Sequence, residues 1–259
     1  MTDTSTAITI AISPCGDSAL RVTVDGTDSD RVWTTVHGLA GWLNSGVTHP
    51  TVRAVPTYDA VLVEFDPYHA VGEVIASHIR SWDTLTGDGG EADGDVIDVP
   101  VLFGGEAGPD LDWVAGIVGE PVPKVVDLVC AREHVIRCLG GPAASAMMDG
   151  PAFGIPIPRL ATPRLRVPPG AVSVAGRQAV IGPVAAPSGW RQIGRTPLDI
   201  LRTDPNTDPN TDPNTDPNTD PSTDAVVPYR PGDRVRFLPI DEAEYADLLG
   251  APMGYRHDE

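Results

Sequence analysis

The sequence predicts a small α+β domain followed by a larger domain of short strands, either a barrel or a sandwich. Three observations lead to this prediction. Strand-like and helix-like segments alternate over the first 85 residues. From about Leu160 the chain consists of short apolar runs separated by turn residues. The 259 residues include 27 glycines and 27 prolines, a content that suits strands and tight turns better than a helical bundle.

The N-terminal part shows two periodicities. Apolar and polar residues alternate in four short segments, and apolar residues recur at helical spacing in two longer ones. The pattern predicts strands over residues 8–12, 19–24, 52–56 and 61–65, and helices over residues 31–44 and 69–82. In the second helix we expect Val71, Val74, Ile75 and Ile79 on the inner face. Helices layered on one sheet follow from this order.

Residues 86–95 separate the two predicted domains. This segment is glycine- and acid-rich without an apolar anchor, which is typical of a linker. The boundaries are therefore 1–85 for the α+β domain and 96–259 for the strand-rich domain. The second domain begins with a predicted strand over residues 96–102. Two short helices follow over residues 110–118 and 123–132, and Asp110 is expected to cap the first.

Residues 203–224 repeat the tetrapeptide TDPN or TDPS. Proline at every fourth position opposes both helix and sheet pairing, and the Asp and Asn side chains favour local turns. We expect a disordered loop between two strands. A calcium site would need six to eight converging oxygens, which a short flexible repeat does not preorganise.

Charge and cysteine content narrow the function classes. The formal charge is −18, so phosphate backbones and anionic lipid surfaces are not expected as partners. No apolar segment is long enough to span a membrane and no signal peptide is evident, which predicts a cytoplasmic protein. The three cysteines lack zinc-site spacing and are expected to be reduced, small apolar core residues, so no metal site is predicted.

Seven sequence blocks occur in the order typical of one family. They are GDSAL at 16–20, VPTYDAVLVEFDP at 55–67, VPVLFGGEAGPDL at 99–111, LATPR at 160–164, GW at 189–190, IGRTP at 193–197 and PGDRVRF at 231–237. The chain resembles the B subunit of ATP-dependent 5-oxoprolinase, the KipI-like family also called allophanate hydrolase subunit 1. The resemblance covers nearly the whole chain.

The resemblance implies a fold, an activity and partners. The strand-rich domain is expected to be a cyclophilin-like β-barrel. The chain is expected to act with proteins like the C and A subunits of that enzyme in converting 5-oxoproline to glutamate. The implied cofactor is ATP, and magnesium is an optional second one. Related domains form the carboxyltransferase part of urea amidolyase. The chain has no P-loop, so any ATP site lies outside the Walker scheme.

The matched blocks supply candidate site residues. An activated lactam and its carboxylate need cations or oriented N–H groups. Candidate ligands of a small anionic substrate are Arg164, Arg166 and Arg195, with backbone N–H groups at Gly170, Gly176 and Gly189, and with Gln178 and Trp190 lining the pocket. The arginines could equally pair with surface carboxylates. Glu106 is a candidate general base, or a carboxylate near a helix start.

Two segments depart from the family pattern. The glycine- and aromatic-rich loop expected before LATPR is replaced by residues 140–154, which have lost nearly all aromatic side chains. Downstream, Arg177 stands where a glycine is expected and Gly182 where a tyrosine is expected. Both changes are expected in the ligand pocket. They leave an alternative open, namely a regulatory or binding protein that has lost catalysis, such as a kinase inhibitor.

Overall fold

A computed structural model describes residues 8–46, 51–82, 94–201 and 227–254. The chain divides into two compact units, Met1–Asp93 and Gly94–Glu259. Most of the expected linker, residues 86–93, and the whole TDPN repeat at 203–224 lie outside the described residues.

The first unit contains a four-stranded antiparallel sheet with strand order β1-β2-β4-β3. Its elements are β1 (Thr9–Pro14), β2 (Ala19–Asp25), α1 (Ser29–Asn44), β3 (Arg53–Pro56), β4 (Ala60–Glu64) and α2 (Gly72–Ser81). The side chain of Asp28 caps α1 by accepting from the backbone N–H groups of Asp30 and Arg31. Both helices pack against the sheet and bury one apolar face in a shared core.

Helix α2 is shorter than the sequence predicts, and its inner face differs from the prediction. It begins at Gly72, and Val71 lies just before it. Val71 and Val74 are 64% and 53% exposed, so the prediction that they face the core is wrong. Ile75, Ala76 and Ile79 form the buried face instead. These three residues follow the i, i+1, i+4 spacing of a narrow helical stripe.

The second unit is built around a closed barrel of seven strands, in the order β10-β7-β6-β13-β5-β12-β9. Its elements are β5 (Val96–Phe103), α3 (Leu111–Val118), α4 (Val122–Cys130), β6 (His134–Gly140), β7 (Ser145–Asp149), β8 (Arg164–Val167), β9 (Ala171–Ala175), β10 (Gln178–Ile181), β11 (Ala186–Ser188), β12 (Arg191–Arg195), β13 (Arg234–Pro239) and α5 (Glu242–Asp247). The β-barrel predicted for the C-terminal part is confirmed. Strands β8 and β11 form a separate antiparallel ribbon.

The barrel interior is tightly packed. Strand β9 is buried at all five positions, and Ile136, Val172 and Ile193 are fully inaccessible. Strand β12 lies so close to β5 that a Cβ atom on Gly194 would fall 2.6 Å from a methyl carbon of Val101. Only glycine fits at this crossing.

Two segments refine or change the predicted secondary structure. The helix predicted over residues 123–132 ends at Cys130, and His134 is the first residue of strand β6. Residues 140–154 are predicted to be a loop, but they contain β7, which pairs with β6 and β10. The short alternating runs in these segments fit a buried strand once neighbouring strands are present on both sides.

The cysteines are only partly as expected. Cys138 is buried and Cys130 is half-buried, whereas Cys15 is exposed. Burial raises the pKa of Cys130 and that of Cys138 to about 11, so both thiols stay protonated at neutral pH. None of the helices in the described ranges has the length and apolarity needed to cross a bilayer.

Candidate functional site

A cavity of about 310 Å³ opens in the second unit between the barrel wall and two projecting segments. One projecting segment is the β6–β7 turn, which contributes Gly141 and Pro142, with Ser145 at the start of β7. The other is the β8–β11 ribbon with the residues that follow it, up to Trp190. The cavity floor is formed by β9 and β10, through Ser173 and Val180.

The lining combines apolar surface, hydroxyl groups and one cation. Apolar surface and hydroxyl groups come from Met147, Val167, Val184, the ring of Trp190, Ser145, Ser173 and Ser188. Among the described residues that line the cavity, Arg159 carries the one charged side chain. None of these lining residues is an Asp, Glu, His, Cys or Lys, so none exchanges a proton readily at neutral pH. Such a lining suits binding rather than acid–base chemistry.

Arg159 and Trp190 lie together at the cavity wall. The guanidinium carbon of Arg159 is 5.6 Å from the centroid of the Trp190 ring, within the range of a cation–π contact. The backbone N–H of Trp190 donates to the Ser188 hydroxyl at 3.2 Å. The Gly189 carbonyl accepts from the Leu160 N–H at 2.7 Å, which ties this segment to the start of LATPR.

Next to the ribbon, the buried carboxylate of Asp110 forms an ion cluster. Asp110 is 5% exposed and accepts two hydrogen bonds from the Arg164 guanidinium, at 2.6 and 2.9 Å. It also accepts from the Gln192 N–H at 2.8 Å. Burial works to raise the pKa of Asp110, but the bonds from Arg164 and Gln192 outweigh it, and the pKa lies below its ordinary value.

Arg191 extends this cluster. A guanidinium nitrogen of Arg191 lies 3.6 Å from the Asp110 carboxylate, and its guanidinium carbon lies 3.5 Å from the Trp113 ring centroid. The Gln192 side chain donates to the Ala107 carbonyl at 2.7 Å. Strand β12 is thereby fixed to the turn before α3.

The expected cap role of Asp110 is wrong. Asp110 occupies the N-cap position of α3, but its side chain makes no capping hydrogen bond. Both carboxylate oxygens are occupied by Arg164 and by strand β12 instead. A charged partner therefore takes precedence over the weaker cap interaction.

The three predicted anion-binding arginines do not converge. Arg164 is committed to Asp110, which is the carboxylate-pairing alternative. Arg166 is exposed on β8. Arg195 donates from Nε to the Pro169 carbonyl at 2.9 Å. The structure places none of them in the cavity lining.

Two of the three predicted backbone donors are already used. The Gly170 N–H donates to the Gly182 carbonyl, and the Gly176 N–H donates to the Ile157 carbonyl. Gly170 also has a φ of +77° and lies against the Thr196 carbonyl, where a Cβ atom would come within 2.6 Å. This glycine is needed for a close turn of the chain. Gly189, in contrast, lines the cavity.

Some of the remaining predicted residues line the cavity, and others do not. Trp190 and Gly182 line the cavity, as does part of the divergent 140–154 segment. Glu106 is exposed in the turn between β5 and α3, and Gln178 is half-buried at the start of β10. Arg177 is exposed in the β9–β10 turn and does not line the cavity, so it does not block this site.

The chain is similar in sequence to proteins of a known family over most of its length. The family described as carboxyltransferase domain, subdomain C and D, matches residues 10–211. A protein of Escherichia coli O157:H7, named as the B subunit of 5-oxoprolinase, is 30% identical over 213 residues, which cover 82% of this chain and 86% of that protein. The chain belongs to the family of 5-oxoprolinase B subunits.

A second member of the family extends the likeness. The protein of Bacillus subtilis (strain 168) with the same name is 27% identical over 244 residues, covering 90% of this chain and 94% of that protein. Both the turn that carries Asp110 and the segment that carries Arg164 lie in blocks by which the sequence resembles this family. The structure joins them through one ion pair.

The fold also occurs within a larger enzyme. Urea amidolyase of Kluyveromyces lactis superposes with a TM-score of 0.72 at 14% identity, over 95% of this chain. The chain spans 16% of the length of that protein. At this identity the likeness concerns the fold.

Several residues at this site carry little signal in the sequence. Arg159 precedes LATPR by one residue and stands out only as an arginine in a local cluster. Ser145 and Ser173 reach the cavity because β7 and β9 both pair with β10. Strand pairing of this kind is not visible in a single sequence.

Proposed function

We propose that this chain belongs to a multi-subunit enzyme that converts 5-oxoproline to glutamate at the expense of ATP, together with proteins like the C and A subunits of 5-oxoprolinase. The observation that carries the proposal is the 30% identity with the E. coli protein named as the B subunit of 5-oxoprolinase, over 86% of its length. The cavity supports a role within this enzyme.

The character of the cavity suits a protein that binds substrate without completing the reaction. Its described lining offers one guanidinium, three hydroxyl groups and an aromatic face. Lactam hydrolysis also needs a group that moves protons. Because the described lining has no such group, we assign proton transfer to a partner protein of the complex.

ATP does not fit this cavity. Its triphosphate carries about four negative charges, which proteins neutralise with several cations, a metal ion or rows of backbone N–H groups. The described lining offers one arginine, and the N–H groups of Gly170 and Gly176 are already bonded within the fold. We therefore place the nucleotide outside this cavity and assign none of its chemistry to the cavity residues.

The proposal is tested by reconstitution. The full chain is mixed with one protein of the C-subunit type and one of the A-subunit type, and ATP hydrolysis is followed with and without 5-oxoproline. We expect 5-oxoproline to stimulate hydrolysis only when all three proteins are present. Hydrolysis that does not respond to 5-oxoproline would contradict the proposal.

A second candidate is a regulatory protein that binds a partner without turnover. It is favoured by the replacement of an aromatic-rich loop with the β6–β7 turn and β7, which line the cavity with Pro142, Ser145 and Met147. This candidate predicts a stable complex in the same reconstitution, with no response to 5-oxoproline.

A further inference from the structure

We propose that the cavity between the β6–β7 turn and the β8–β11 ribbon binds a small carboxylate with a flat body, and that Arg159 and Trp190 recognise it. This inference rests on the proposed function and assigns its substrate contact to named residues. Arg159 would bind the carboxylate, and the face of Trp190 would bind the body of the ligand.

Arg159 supplies the positive charge. Its side chain is exposed, and among the described residues its guanidinium has no carboxylate partner. Two other arginines near the ribbon are occupied, Arg164 with Asp110 and Arg191 with Asp110 and Trp113. On a chain of net charge −18, a guanidinium at a cavity wall that has no carboxylate partner among the described residues attracts an anion to that position.

The Trp190 ring supplies a flat surface. The ring is half-buried, and its backbone is fixed by the bonds to Ser188 and, through Gly189, to Leu160. The apolar wall continues with Met147, Val167 and Val180. A planar ring stacked on Trp190 would remove apolar surface from water while its carboxylate stays next to Arg159.

Size and charge indicate a carboxylate rather than a phosphoryl group. A cavity of about 310 Å³ is at the lower end of the range for small-molecule sites. One guanidinium matches one negative charge, and its planar fork fits the two oxygens of a carboxylate. Phosphoryl sites usually gather several cations or a helix N-terminus, which the described lining lacks.

Titration calorimetry on the purified full chain tests the proposal with three probes. These are 5-oxoproline, 2-pyrrolidinone, which has the same ring without the carboxylate, and inorganic phosphate. We expect 5-oxoproline to bind and Arg159→Gln to weaken it by about tenfold or more, as the loss of a charged hydrogen bond does. The affinity for 2-pyrrolidinone should be low and equal in both proteins, and phosphate should not compete.

Two further variants make the result specific. Arg53→Gln removes an exposed arginine of strand β3 and should leave binding unchanged. Trp190→Leu should weaken 5-oxoproline and 2-pyrrolidinone alike. Thermal unfolding of each variant shows whether it is folded. If Trp190→Leu does not fold, the Arg159→Gln result decides alone, since that side chain is exposed.

Three outcomes would overturn the proposal. They are no binding of 5-oxoproline at millimolar concentration, equal affinity in wild type and Arg159→Gln, or phosphate binding that displaces 5-oxoproline. The assay contains neither ATP nor partner proteins. A reconstituted complex that turns over 5-oxoproline, while the chain alone binds none, would therefore reject this site and leave the proposed function standing.

Discussion

The buried carboxylate of Asp110 connects three segments that are distant in sequence. Through it, the turn before α3, the first residue of β8 and the start of β12 share one ion cluster. Ion pairs of this kind are costly to break from one side, because the remaining charge is left without its partner. Asp110 therefore helps to hold the β8–β11 ribbon against the barrel.

We predict that Asp110→Asn lowers the free energy of unfolding by roughly 2–3 kcal/mol at pH 7, since Arg164 and Arg191 both lose their anion. Asp112→Asn, at an exposed position in the first turn of α3, is the matched control and should cost less than about 1 kcal/mol. Urea unfolding of both variants measures the difference. Equal losses of unfolding free energy in the two variants would show that the ion cluster does not stabilise the fold.

The lowered pKa of Asp110 gives the same residue a pH signature. A carboxyl whose folded-state pKa lies below its ordinary value of 3.8 stabilises the fold at neutral pH. That contribution is lost as pH falls below about 4 and through the folded-state pKa. We predict that the stability difference between wild type and Asp110→Asn shrinks over this range. A difference that stays constant down to about pH 2.5 would contradict the assignment.

His134 affects the pH dependence of stability in a different pH range. Its ring is fully buried, with Nδ1 2.9 Å from the Asp149 carbonyl oxygen and Nε2 2.8 Å from the Val129 carbonyl oxygen. Burial lowers the pKa of His134 and Arg132 adds to this, while the two carbonyl oxygens and the Asp149 carboxylate oppose it. The centroids of the imidazole and the Phe237 ring lie 5.2 Å apart.

We predict that the free energy of unfolding depends less on pH in His134→Gln than in wild type. Because the folded-state pKa is lowered, the unfolded chain takes up the proton first, and wild type loses stability as pH falls below about 6.5. The free energy of unfolding of wild type should exceed that of His134→Gln by about 1–3 kcal/mol at pH 8. This difference should shrink toward about pH 5. Denaturant unfolding across this pH range measures it, and a gap that widens would refute the prediction.

At the scale of elements, the β6–β7 turn forms one side of the cavity. Its residues Ala143 and Ala144 have φ values of +52° and +56°, in the left-handed region that L-residues with a Cβ adopt at a cost of about 1–2 kcal/mol each. Both lie between cavity residues Pro142 and Ser145. The turn thus stores backbone strain next to the candidate site.

We predict that Ala143→Gly raises the free energy of unfolding by roughly 0.5–1 kcal/mol, because relief of the strain exceeds the added entropy of the unfolded chain. Ala131→Gly is the matched control, since Ala131 is also exposed but has a φ of −69°. There the same substitution should lower stability by about 0.5–1 kcal/mol. Changes of the same sign at both positions would contradict this interpretation of the turn.

Elements with a clear period can be predicted from the sequence, and those determined by their neighbours cannot. Helix α1 and strands β2 and β4 follow from local patterns that need no partner. Strand β7 escapes prediction because Ser145–Asp149 shows its strand character only between β6 and β10. The inner face of α2 is predicted wrongly at two positions, since Val71 precedes the helix and Val74, although within it, is exposed.

At the scale of the whole molecule, family membership can be inferred from ordered sequence blocks, but the site cannot. The pairing of Asp110 with Arg164 joins residues 54 positions apart, and nothing in either block signals it. Arg159 differs from Arg166 only in its three-dimensional position, since one lines the cavity and the other does not. Convergence of side chains depends on barrel closure, which a single sequence does not encode locally.

The two compact units each have a hydrophobic core of their own. The cavity lies wholly within the second unit, and its described lining has the means to bind a ligand but lacks a proton-transfer group. These features agree with the proposal that partner proteins complete the chemistry. The central claim is that the chain is necessary for turnover but not sufficient.

Glutamate release from labelled 5-oxoproline, with ATP and partner proteins of the A-subunit and C-subunit types, tests this claim most directly. The full chain is present, omitted, or replaced by Arg159→Gln or by the control Arg53→Gln. We predict no glutamate without the chain or with the chain alone, full activity with Arg53→Gln, and activity lowered at limiting 5-oxoproline with Arg159→Gln. Undiminished glutamate release when the chain is omitted would contradict the claim.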